Sequence, residues 1–99
     1  MNCRALEQTE NRLIFEMKPE RVKLYIKPYC PWCHEAIAWL DKRGIKYELL
    51  DVISDPTAFK EMIDISGQTL APVIEVDGKV LADFDTRQLE KFWKENFSG

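Results

Sequence analysis

Residues 24–40 read LYIKPYCPWCHEAIAWL. The first three close a β-prone run, VKLYI, over 22–26. Pro31 then opens a helical pattern, with Cys33, Ile37 and Leu40 on one face and Ala36 beside them. Proline suits a first helical position, where an N–H would have no partner. Cys30 therefore falls at the junction of a strand and a helix. The carboxyl end of a strand exposes it, and the helix start surrounds it with unpaired N–H groups and the positive end of a dipole. Both favour the thiolate, the nucleophilic form of cysteine. Lys27, three residues upstream, adds positive charge. Cys33 lies one helical turn further on, faces inward, and is placed to attack a mixed disulfide formed on Cys30.

The same string admits two other readings. Cys30-Pro31-Trp32-Cys33-His34 satisfies the C-x-x-C-H pattern of c-type haem attachment. Haem would need His34 as an axial ligand and a largely helical wrap, whereas this chain alternates strands and helices. Structural zinc takes four ligands. Beyond the pair there are only His34, too close in sequence to complete the site, and distant Cys3. No metal is therefore assigned. His34 is read as a partly exposed first-turn residue without a role, and Cys3 as a terminal thiol without one.

Outward from this stretch, IKYELLDV (45–52) reads as a second strand. In SDPTAFKEMIDISG (54–67), Asp55 caps and Pro56 starts a helix, Phe59, Met62 and Ile63 mark its buried face, and Gly67 ends it. PVIEV (72–76) is a third strand, Asp77-Gly78 a two-residue hairpin turn, and 79–82 a short fourth strand. Asp85 with Gln88 makes a capping-box-like start for a last helix, along which Leu89, Phe92, Trp93 and Phe97 follow helical spacing. The order is β-α-β-α-β-β-α. A helical crossover makes the first two strands parallel and the hairpin makes the last two antiparallel. The expected fold is α/β, one mixed four-stranded sheet flanked by helices. Residues 1–20 form an N-terminal extension, either an extra helix or a frayed tail, and 21–97 the domain proper.

Composition narrows the function. A chain of 99 residues can bury one core without staples. Its formal net charge of -3, with cations spread among acids, gives no footing for nucleic acid. No apolar run approaches the ~18 residues of a membrane span, and the first 22 residues lack the apolar stretch of a secretory signal. A cytoplasmic location is expected, where a CxxC pair is catalytic or metal-binding rather than a structural staple.

With CxxC on this frame, the chain resembles the glutaredoxin family of the thioredoxin fold over about residues 21–97. KPYCPWC (27–33) is similar to the family's CPYC-type site, with Trp32 in place of tyrosine. TLAP (69–72) resembles its TVP segment, with Ala71 where valine is common. ADFDT (82–86) partly matches its GG-x-DD segment: Ala82 and Asp83 replace the glycines and Thr86 the second acid. Thioredoxins proper usually carry CGPC, which is absent.

The resemblance implies a thioredoxin-like fold and a cis Pro72 facing Cys30. It implies a glutathione-dependent thiol–disulfide oxidoreductase, with Cys30 and Cys33 catalytic and glutathione a co-substrate rather than a bound cofactor. Lys27, Tyr29 and Gln68 would hold the glycine carboxylate, the Ala71 backbone beside Pro72 the central cysteine, and Phe84 and Asp85, at the start of the last helix, the γ-glutamyl end. Asp83 departs from the family by placing negative charge beside that end. Expected partners are glutathione and disulfide-containing or glutathionylated proteins, with no nucleic acid and no membrane, and the chain acting as a monomer. Two alternatives belong beside this reading: a [2Fe–2S] cluster held with glutathione between two copies, which is not favoured, and a partner-specific disulfide reductase independent of glutathione.

Overall fold

The computed structural model describes residues 19–97. Cys3 and most of the expected extension lie outside them. The elements are β1 (Val22–Ile26), α1 (Pro31–Lys42), β2 (Glu48–Asp51), α2 (Pro56–Ser66), β3 (Val73–Val76), β4 (Lys79–Ala82) and α3 (Thr86–Phe97). The order is the one expected, a thioredoxin-like β-α-β-α-β-β-α topology. The four strands form one mixed sheet in the order β2-β1-β3-β4. β1 is central, parallel to β2 and antiparallel to β3, with Leu24 opposite both Leu49 and Ile74.

Alternation along the strands splits the core in two. Leu24, Ile26, Ile74 and Val76 face α1 and α3, where they meet Cys33, Ala36, Trp39, Leu40 and Leu89. Tyr25 and Val73 face the other side, where α2 supplies Ala58 and Met62. The sheet is thus covered on both faces, and β1 is apolar on both sides except at half-buried Lys23.

Local chemistry sets the ends of the elements. Asp55 caps α2 by accepting the N–H groups of Thr57 and Ala58 at 3.0 and 3.2 Å, and Gly67 ends it at φ 72. Asp77 and Gly78 turn the β3–β4 hairpin with φ 50 and 89, the two positive angles a type I′ turn requires. Asp77 also accepts the N–H groups of Glu20 and Arg21, which ties the start of β1 to that turn. Asp85 and Gln88 exchange side-chain to backbone hydrogen bonds of 2.8 and 2.9 Å, the expected capping box.

Three expectations shift. β2 is four residues long because Ile45 and Tyr47 leave the ladder and pack against the α1/α3 core. On α2, Ala58 and Met62 are buried while Phe59 and Ile63 are only half-buried. Trp39, which the helical pattern of α1 did not single out, is buried with the Arg43 guanidinium 3.8 Å over its ring and Trp93 5.6 Å away.

Tyr25 is fully buried and donates its hydroxyl to Glu61 Oε1 at 2.8 Å. Burial, and then the neighbouring Glu61, hold its proton well above the ordinary tyrosine range. Once the pH passes the ordinary value of 10.0, the unfolded chain releases this proton and the folded chain keeps it. Stability should therefore fall with rising pH, by up to about 1.4 kcal/mol per pH unit for this group. Urea midpoints of the wild type and Tyr25→Phe check this, since the variant should lose part of the alkaline slope.

Candidate active site

Strand β1 ends at Ile26 and a tight turn follows, in which the Cys30 N–H donates to the Lys27 carbonyl at 3.0 Å. Cys30 is the N-cap of α1, with extended backbone (φ -90, ψ 115). Its Sγ accepts the Cys33 N–H at 3.2 Å, the acceptor role that serine or aspartate plays at other helix starts. The sulfur thus sits at the positive end of α1 with a backbone donor aimed at it.

Cys33 is buried, and both cysteines are free thiols. Burial first, then its hydrogen bond with Cys30, push the Cys33 thiol up to about 12. The pair is therefore asymmetric, with one half-exposed sulfur held at a helix N-terminus and one sealed sulfur that keeps its proton. Such a pair can attack an outside disulfide through Cys30 and close on itself through Cys33.

The α2–β3 loop supplies the opposite wall. The Ala71–Pro72 peptide is cis, as the resemblance implied, and the Cys30 thiol lies 3.8 Å from the Ala71 carbonyl. The Pro72 carbonyl accepts the Asp83 N–H at 2.8 Å, joining the segment before α3 to the same wall. Segments far apart in sequence thus converge on Cys30.

The other expected residues are held in different ways. Tyr29 is exposed beside Cys30. Lys27 is half-buried and donates to the Thr69 carbonyl at 3.0 Å. Gln68 folds onto its own loop: its amide nitrogen donates to the Leu70 carbonyl at 3.0 Å and to Ser66 Oγ at 3.2 Å, and its oxygen accepts the Leu70 N–H. Phe84 is buried in the core. The Asp85 N–H is held by Gln88, so a ligand at this helix start would displace an exposed amide side chain. Asp83 is exposed and adopts φ 53, the left-handed region that aspartate tolerates better than most residues. His34, expected to be without a role, has its Nε2 2.6 Å from the Pro28 carbonyl and braces the turn that carries Cys30.

Among the described residues no group of three or more His, Cys, Asp and Glu side chains is placed to hold a metal ion. No helix of the described residues is long and apolar enough to cross a membrane.

The sequence matches the model of the family described as Glutaredoxin over residues 22–81, which spans every element from β1 into β4. The chain belongs to the glutaredoxin family. It is 31% identical over 70 residues to a glutaredoxin-like 8.6 kDa protein of the rubredoxin operon of Clostridium pasteurianum, covering 71% of this chain and 93% of that one. It is 34% identical over 64 residues to glutaredoxin 3 of Escherichia coli K12, covering 65% and 77%. The crystal structure of a glutaredoxin from Archaeoglobus fulgidus shares the fold, with a TM-score of 0.67 at 22% identity over 92% of this chain and 98% of that one. Family and geometry agree on a redox-active cysteine pair of the glutaredoxin and thioredoxin type.

Proposed function

We propose that this glutaredoxin-family protein is a glutathione-dependent thiol–disulfide oxidoreductase acting on glutathione mixed disulfides and protein disulfides. The observation that carries the reading is the asymmetry of the pair: Cys30 Sγ caps α1 beside the Ala71 carbonyl, while Cys33 is buried one turn behind it.

On a glutathionylated substrate, Cys30 thiolate attacks the glutathione sulfur. The mixed S–S bond breaks, and the substrate sulfur leaves with the electron pair and takes a proton. A second glutathione thiolate attacks the glutathione sulfur now on Cys30, which releases oxidised glutathione and restores the thiolate. One free glutathione thiol is consumed, and it leaves joined to the glutathione that the substrate carried, while the substrate sulfur leaves as a thiol. On a protein disulfide, Cys30 forms a mixed disulfide with one substrate sulfur and the other leaves as a thiol. Cys33 then loses its proton and attacks Cys30, freeing the second substrate thiol. The resulting Cys30–Cys33 disulfide is reduced by two further glutathiones.

In this reading Lys27, Tyr29 and Gln68 hold the glycine carboxylate, the Ala71 backbone pairs with the central cysteine, and Phe84 and Asp85 receive the γ-glutamyl end at the start of α3. Lys27 and Gln68 each hold a contact to the α2–β3 loop that must be exchanged for one to glutathione. That exchange reduces the net gain. A charge-assisted hydrogen bond contributes about 1.5–3 kcal/mol, and losing the Thr69 contact offsets part of it. Lys27→Ala should therefore raise the glutathione concentration for half-maximal rate about tenfold, near the low end of that range. Steady-state kinetics at varied glutathione test this, and an unchanged dependence would remove Lys27 from the site.

Asp83 acts in the opposite sense. Its exposed carboxylate, one residue before Phe84, repels the γ-glutamyl carboxylate through solvent. Asp83→Gly should improve glutathione use by about two- to fivefold, the scale of an exposed charge contact, and glycine accepts the backbone angle. A loss of activity would instead mean that Asp83 binds the ligand's ammonium.

A further inference from the structure

Glutathione leaves part of the surface around Cys30 without a purpose. Tyr29 is 72% exposed, Trp32 53% and Leu70 53%, three of the five large apolar side chains most exposed among the described residues. The other two, Leu49 and Ile53, lie on β2 and just beyond it. They flank Cys30 from two segments, the turn that runs into α1 and the α2–β3 loop. Tyr29 precedes Cys30, Trp32 is the second residue of α1, and Leu70 precedes the Ala71 carbonyl that faces the thiol. A tripeptide with two carboxylates offers Trp32 and Leu70 no apolar group to cover. Aromatic and aliphatic side chains gathered at a reactive group mark a protein-binding surface.

Charge narrows the partner further. The Asp83 backbone is joined through its N–H to the Pro72 carbonyl, and the residue is exposed. Asp85 follows two residues later. Neither forms an ion pair among the described residues, including with exposed Arg87. Lys27, three residues before Cys30, keeps its positive charge while its ammonium is hydrogen-bonded to the Thr69 carbonyl. Asp83 is thus an exposed carboxylate without an ion-pair partner among the described residues, and it disfavours acidic partners and attracts basic ones.

We propose that the protein substrate presents its disulfide on an extended segment whose cysteine is flanked by a large apolar residue and by a lysine or arginine. The apolar residue meets Tyr29, Trp32 and Leu70, and the cation meets Asp83 and Asp85. This rests on the reading of Cys30 as the attacking sulfur. The chemistry is the same exchange: Cys30 sulfur bonds to the segment's cysteine sulfur, the substrate S–S bond breaks, and the departing sulfur carries the electron pair and takes up a proton. Asp83 thus trades affinity for glutathione against selection of a basic protein segment.

Four short peptides test the proposal, each with its cysteine disulfide-linked to 5-thio-2-nitrobenzoate, whose release is yellow. Their flanking residues are leucine with lysine, leucine with glutamate, glycine with lysine, and glycine with glutamate. Single-turnover rates with the reduced full chain should be fastest for leucine with lysine and about tenfold slower for glycine with glutamate. Added salt should shrink the lysine preference. Asp83→Asn, which keeps the left-handed backbone accessible, should cut the lysine-over-glutamate ratio several-fold and leave the leucine preference. Leu70→Ser should do the reverse. Equal rates for all four peptides, or a lysine preference unchanged in Asp83→Asn, would overturn this proposal and leave the oxidoreductase reading intact. No reaction with any peptide would overturn both.

Discussion

Cys30→Ser is expected to reduce turnover of both glutathionylated and protein-disulfide substrates to the uncatalysed rate. Cys33→Ser is expected to keep the first activity and lose most of the second. The reason is the geometry of the pair. Attack on a glutathione mixed disulfide needs one thiolate, and Cys30 is the sulfur that reaches solvent, capping α1 with the Cys33 N–H aimed at it. Resolving a protein mixed disulfide needs a second sulfur close behind, which Cys33 supplies. Serine at 33 retains the backbone N–H that Cys30 accepts, so the cap survives the substitution. Parallel assays on a glutathionylated peptide and a protein disulfide give the comparison. An active Cys30→Ser beside a dead Cys33→Ser would reverse the roles.

The second large effect is on pH. Burial pushes the Cys33 thiol up to about 12, so almost none of it is thiolate near neutrality. Its hydrogen bond with Cys30 contributes to that shift and disappears once Cys30 is in a mixed disulfide, but burial is the larger cause and remains. Resolution of a protein mixed disulfide should therefore accelerate about tenfold per pH unit from about pH 7 to 9, following the thiolate fraction. Turnover of a glutathione mixed disulfide, which bypasses Cys33, should lack this slope when glutathione thiolate is held constant. Stopped-flow decay of a preformed mixed disulfide reads the effect directly. A rate flat over this window would show that Cys33 is not the resolving sulfur. The same shift bears on stability. Between the ordinary value of 9.0 and about 12 the unfolded chain loses the Cys33 proton and the folded chain keeps it, so stability falls as pH rises.

Much of the architecture was written in local signals. Pro31 and Pro56 start α1 and α2, Asp55 and Asp85 cap α2 and α3, and Asp77-Gly78 turns the hairpin, each because one backbone position needs one kind of residue. Cys30 and Cys33 were legible because their spacing and the strand–helix junction fix exposure and order together. What depends on a distant partner was not legible. Trp39 lies on the flank of α1 and is buried only because α3 brings Trp93 against it and Arg43 covers its face. Lys27 and Gln68 were expected to point at a ligand, yet the α2–β3 loop gives them carbonyls from Thr69 and Leu70. No spacing in the sequence announces those contacts, because the two segments meet only once the sheet has formed. His34 was dismissed for the same reason, since the Pro28 carbonyl reaches it only through the tight turn before Cys30.

The central claim is that Cys30 exchanges thiols with glutathione as the electron donor. It is tested most directly by reduction of a glutathione mixed disulfide coupled to glutathione reductase, with NADPH oxidation followed over a range of glutathione concentrations. Saturable turnover is expected that requires glutathione, vanishes in Cys30→Ser and persists in Cys33→Ser. Contradiction would be a rate no higher than that of glutathione alone, from a protein that still reduces a protein disulfide when a thioredoxin-type reductase supplies the electrons.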